Sequence, residues 1–161
     1  MKKILLVTRI SKFILLLLSF SFFVFAPAFT WQINDHQKFV CNGFITIFGG
    51  NFGTGNNALA PVSLIAFIFF VIAILWNVSF NILLLTKKEI PLKTFKRISY
   101  VVSILQIVTG VLIFYSIFNF VIVNGYGDTV PEYFKDTYFV TLAGSFSLMS
   151  GLLNAFEILA I

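Results

Sequence analysis

Residues 61–85 read PVSLIAFIFFVIAILWNVSFNILLL, and residues 86–97 read TKKEIPLKTFKR. The first string carries no charged side chain. It exceeds the ~20 apolar residues that a helix rising ~1.5 Å per residue needs to cross ~30 Å of hydrocarbon. The second string reverses the character of the chain at once, with Lys87, Lys88, Lys93, Lys96 and Arg97 gathered around Pro91. Such a block stays in water, so the chain turns there and re-enters the bilayer.

Working outward, three more apolar runs have spanning length, at Phe13–Trp31, Ile98–Val123 and Tyr138–Ile161. Together with Pro61–Leu85 they leave little of the 161 residues for anything else. The expected fold is therefore an all-α membrane protein, a single domain over residues 1–161, built as a bundle of four transmembrane helices. A long first external loop covers residues 32–60, a cytoplasmic link 86–97 and a short second external loop 124–137. Phe is the commonest aromatic, at 22 residues. It suits lipid-facing surfaces and an AT-rich coding sequence, and it points to no site.

Orientation follows from the basic residues. Lys2, Lys3, Arg9 and Lys12 precede or open the first run, and the 86–97 link holds the next group; of the eleven Lys and Arg, only Lys38 and Lys135 lie elsewhere. Positively charged short loops stay cytoplasmic, which places the amino terminus, the link and the carboxyl terminus inside a cell membrane. Trp31, Tyr100 and Tyr138 then fall at interfacial depths, where amphipathic rings settle. Topology and attraction to anionic inner-leaflet lipids account for the +5 net charge. No separate basic surface remains for nucleic acid.

The opening segment has a second reading. Met1–Lys12 is a basic leader, Phe13–Phe25 an apolar core, and Ala26-Pro27-Ala28 matches a small-x-small cleavage pattern. The apolar run continues to Trp31, and Ile4–Val7 adds length upstream, so retention as a first helix is the preferred reading. Pro27 then kinks or ends that helix. Within the 32–60 loop, Phe39–Phe48 is too apolar to be free and is expected to fold back onto the helix ends, flanked by Gly/Asn turn chemistry.

Polar residues inside the runs mark the faces expected to meet other helices: Asn77 and Asn81 in the second, Ser103, Gln106 and Gly110 in the third, and Gly144, Ser147, Gly151 and Asn154 in the fourth. Small residues let backbones approach and hydroxyls and amides bond across the contact. Glu157 is the acid within a run, and a possible functional one. Its distance from Phe139 predicts an interfacial, hydrated position facing the basic link.

Gly125-Tyr126-Gly127-Asp128 resembles the filter signature of potassium channels. The channel Thr-Val is replaced by Val123-Asn124, and the preceding run is long enough to cross completely, so an external Gly-rich turn is expected. Cys41 is the single cysteine, free or paired between chains, and His36 the single histidine, beside Asp35. Neither builds a catalytic arrangement or a metal site, and Gly49–Gly55 lacks the lysine of a phosphate loop. No catalytic, cofactor or metal residues are expected. In layout the chain is similar to small four-helix membrane proteins of AT-rich Gram-positive bacteria and their wall-less relatives, a resemblance that implies no activity. Claudins share the long first loop, but their paired cysteines are missing. The expected function is a non-catalytic scaffold or accessory subunit, with a small oligomeric transporter or channel component as the alternative. The expected partners are the bilayer and other membrane proteins or further copies of this chain.

A reporter fused after Ile161 should behave as cytoplasmic and one inserted after Asn56 as external; an active external reporter at the carboxyl terminus would reverse the assigned orientation.

Overall fold

A computed structural model describes residues 2–34, 37–52, 55–86, 91–126 and 134–160. The long helices are α1 (Lys2–Phe25), α3 (Pro61–Leu85), α4 (Leu92–Val123) and α5 (Tyr138–Ala160), with a short α2 (Gly43–Phe48) between the first two. Four of these are long and apolar enough to cross a membrane, as expected of a multi-pass membrane protein. The 32-residue α4 is longer than a bilayer requires. Its first turns carry Lys93, Lys96 and Arg97, so the helix begins before the apolar run that starts at Ile98.

The first helix is displaced from its expected limits. It begins at Lys2 and stops at Phe25, well short of Trp31. Proline has no N–H for the helix ladder and turns the residue before it away from helical geometry, so Pro27 ends α1 two residues earlier. Beyond it Phe29 and Trp31 alternate with polar residues, and Pro27–Asn34 becomes strand β1. Trp31 therefore sits in a sheet and not at a helix end.

The stretch expected as a long loop is also folded. Strand β2 (Gln37–Asn42) pairs antiparallel with β1, placing Cys41 opposite Phe29 and Phe39 opposite Trp31. On its other side β1 pairs with β5 (Phe134–Asp136), so the order is β2-β1-β5. A second antiparallel pair joins β3 (Gly50–Phe52) to β4 (Gly55–Asn57). Together these strands close one end of the bundle. Phe29 is fully buried beneath the sheet, with its ring 5.3 Å from that of Phe52 and 5.5 Å from that of Phe120 at the end of α4. The sheet is thus fixed to the helices by aromatic packing.

Helix α2 reaches back onto α1 and α3, as the apolar 39–48 segment implies. The Asn42 side chain caps it by accepting from the Ile45 N–H at 3.0 Å. Gly43 is required by contact: a Cβ there would lie 1.6 Å from the Phe23 carbonyl oxygen. Phe44 and Phe48, one turn apart with rings 4.8 Å from each other, remain on the exposed side.

Helix α5 packs against both α1 and α4, and α3 lies mainly on α4. The two kinds of contact differ in chemistry. Hydroxyls and amides join α5 to its neighbours: Ser19 Oγ donates to the Ala143 carbonyl, Ser147 Oγ to that of Gln106, and Ser103 Oγ to that of Gly151. Phenyl rings join α3 to its neighbours, through Phe20 with Phe67 and Phe70, Phe23 with Phe70, and Phe80 with Phe95. Lipid is as apolar as Phe, and interhelical hydrogen bonds in membranes average only ~0.6 kcal/mol, so close packing carries much of the association.

Gly43→Ala should lower the thermal midpoint in detergent by an amount equivalent to about 1–3 kcal/mol, since backbone has to move. Gly55→Ala, with open space around the new Cβ, should stay within about 0.5 kcal/mol of the parent. Equal melting of the two variants would mean that the α1–α2 contact is dispensable.

Candidate functional site

The polar contacts on α5 converge toward the end of the bundle opposite the strands. Glu157 is completely buried. Its carboxylate accepts from Lys12 Nζ on one oxygen and from Arg9 Nε on the other. Lys12, 4% exposed, also donates to Asn154 Oδ1 at 2.7 Å. The Asn154 amide in turn donates to the Ser99 carbonyl of α4 at 2.8 Å. One cluster therefore ties three helices together through side chains that lie one turn apart on each: Arg9 and Lys12 on α1, Asn154 and Glu157 on α5.

This corrects the expectation for Glu157. It does not stand hydrated before the basic link; it is dry and neutralised from within the bundle. The cause is the shift of α1. Because that helix starts at Lys2, Lys12 lies inside it, ten residues in, and faces α5. The two basic side chains, read in the sequence only as topology signals, were the residues missed. A signal existed, because an acid within a span needs a partner and the candidates in other spans are few.

Above the cluster the polar contacts continue along α4 and α5. Ser150 Oγ donates to the Lys12 carbonyl at 2.8 Å and accepts from Gln106 Nε2 at 3.3 Å. At Gly110 and Gly144 the two backbones meet: a Cβ on Gly110 would come 2.8 Å from the Gly144 carbonyl oxygen and 2.6 Å from Leu148. The Phe114 ring occupies the space beside Gly144, and Ile107 that beside Gly151. Ser103, Gln106, Gly110, Gly144, Ser147, Gly151 and Asn154 are thus brought together on one α4–α5 contact.

Asn77 and Asn81 are placed otherwise. Each donates its amide to its own helix, Asn77 to the Ala73 carbonyl and Asn81 to that of Asn77, both at 2.8 Å. An amide can satisfy itself on the carbonyl one turn back, so a polar residue in a span need not mark a bond to a neighbour. A side chain of α3 that does reach α4 is Trp76, whose Nε1 donates to Ser99 Oγ at a long 3.4 Å.

The filter-like string has a plain structural role where it is described. Gly125, with φ of 74°, donates to the Ile122 carbonyl, and Tyr126 N–H to that of Val121. These two bonds are the left-handed glycine termination of a helix, here α4. The Tyr126 hydroxyl donates to Asn57 Oδ1 at 2.8 Å, fastening that turn to β4. Gly127 and Asp128 lie outside the described residues, as do Asp35 and His36. Cys41 is buried in the sheet, and burial pushes its thiol up to about 12. A thiol so held is a poor nucleophile and offers no accessible sulfur for pairing with another chain.

Among the described residues, no group of three or more His, Cys, Asp or Glu stands together. Among the described residues, the buried side-chain atoms without a hydrogen-bond partner are Ser63 Oγ and Gln106 Oε1. The cluster therefore binds helices to one another, with Glu157 as its centre.

Glu157→Gln keeps the shape but leaves two basic side chains without their carboxylate, at a cost of about 3–5 kcal/mol. Adding Lys12→Met should recover part of that loss, because it removes a buried amine left without its counter-charge. A single variant that melts with the parent in detergent would show the cluster to be energetically idle. Comparison of the chain with family models, curated proteins and solved structures finds no match, so function has to be read from these side chains themselves.

Proposed function

We propose that the protein is a non-catalytic multi-pass membrane protein acting as a scaffold or accessory subunit of a membrane complex. The observation that carries this reading is the internal use of its polar chemistry. Arg9, Lys12, Ser99, Ser103, Ser147, Ser150, Asn154 and Glu157 bond to one another or to backbone inside the bundle. Groups committed to holding helices are not available to turn over a substrate. The outward surface is apolar, including Ile65, Ile68, Ile72, Leu75 and Ile82 on α3 and Val101, Ile104, Val108 and Val111 on α4. Such faces suit lipid, neighbouring membrane proteins or further copies of the chain.

A second reading draws on Gln106. Its Oε1 is buried and unpartnered near the middle of α4, beside the small-residue contact with α5. Transport needs polar atoms left available at mid-membrane depth, which keeps a small transporter or channel component as the alternative. Two measurements separate the readings. Photo-cross-linking from Val40, an exposed position on the strand-capped end, should yield a discrete partner or homo-oligomer band from intact membranes. Liposomes containing the purified chain should show no ion flux above empty vesicles. A flux abolished by Gln106→Leu would overturn the scaffold reading in favour of transport.

A further inference from the structure

Arg9 uses little of its capacity on Glu157. A guanidinium is a rigid fork of N–H donors, and here Nε meets the carboxylate while the terminal NH2 groups have no protein partner among the described residues. The side chain is 25% exposed, whereas Glu157 beside it is fully enclosed. Its Cζ stands 5.3 Å from the centre of the Phe80 ring, and Phe80 stacks at 4.4 Å on Phe95, in the first turn of α4. The guanidinium is therefore held between the Phe80 ring and the Glu157 carboxylate, at the end of the bundle opposite the strands. Among the described residues, charge at that end is one-sided. Lys93, Lys96 and Arg97 lie in the first two turns of α4, the carboxylate of Glu157 is already shared with Lys12, and no other acidic side chain is described there.

We propose that this end of the bundle binds a phosphate-type anion on the free edge of Arg9, with the basic turns of α4 attracting it. Planar N–H pairs match phosphate oxygens two at a time. Basic pockets between spanning helices take anionic lipid headgroups at the cytoplasmic face, and soluble phosphate offers the same oxygens. The inference is independent of the scaffold reading, because it concerns what Arg9 leaves unbonded and not what the outer surfaces meet.

Arg9 and Arg97 are the two arginines of the chain, which permits a test on the unaltered protein. The purified full chain in a neutral detergent is treated with phenylglyoxal and both arginines are followed by mass spectrometry. Added inorganic phosphate, phosphatidylglycerol or phosphatidylcholine supplies the three arms. Selective protection of Arg9 over Arg97 by phosphate supports a soluble anion as ligand. Selective protection by phosphatidylglycerol, with neither phosphate nor phosphatidylcholine effective, supports a lipid headgroup. Equal protection of both arginines, or of neither, overturns the proposal. As a second readout, Arg9→Lys retains a positive charge for Glu157 but loses the fork, and should bind the protecting anion about tenfold more weakly in a thermal-shift titration. Unchanged affinity in that variant would also overturn it, assigning the effect to diffuse charge.

Discussion

A carboxylate in a dry helix contact persists only with a counter-charge at hand, and the meeting of Glu157 with Arg9 and Lys12 supplies it. The rest of the arrangement depends on that meeting. It fixes the rotation of α1, since Arg9 and Lys12 have to face α5, and thereby turns Phe20 and Phe23 toward α3. It fixes the depth of α5, since one turn of sliding would part Glu157 from both bases. Through Asn154 and the Ser99 carbonyl it reaches α4 as well. Apolar packing alone specifies register poorly between smooth helices in lipid, whereas a buried charge accepts one alignment.

The two modes of helix contact divide the molecule. Helices α1, α4 and α5 are joined by directional bonds and by backbones in close approach at Gly110 and Gly144. Helix α3 is held by rings that can slide, and its own asparagines bond to its own backbone. The strands at the opposite end compensate in part. Val62 N–H, in the first turn of α3, donates to Asn119 Oδ1 of α4, and Asn124 of α4 exchanges hydrogen bonds with Ala58 just before α3. Helix α3 is thus secured at its capped end and loosely at the other, beside Phe80 and Arg9.

Much of this was legible in the sequence, and the remainder was hidden for definite reasons. Hydropathy locates the long helices because each must be apolar over the thickness of a bilayer. It does not say where the backbone stops being helical, so α1 was expected at Phe13–Trp31 and is found at Lys2–Phe25. Pro27 was the local clue, but the strand that follows is paired on one side with Gln37–Asn42 and on the other with Phe134–Asp136, over a hundred residues away, and no local pattern announces the second pairing. The spacing of Gly144, Ser147, Gly151 and Asn154 pointed to one helix face. What lay opposite could not be read, because Lys12 was assigned to water by the same rule that sets orientation. Asn77 and Asn81 mislead for the converse reason: identical side chains can satisfy themselves locally or across a contact, and sequence does not distinguish the two.

The pairing of the first helix with the last has a consequence for how the protein is made. Arg9 and Lys12 leave the ribosome early, while their carboxylate follows 148 and 145 residues later. At about 5–20 residues per second that delay is on the order of 10 s. During this interval the two basic residues of α1 lack their carboxylate, and long stems of this kind can carry their charges toward the headgroups. A chain cut short before α5 therefore leaves Arg9 and Lys12 without the carboxylate that neutralises them, so the first helix bears an uncompensated charge until the last is made.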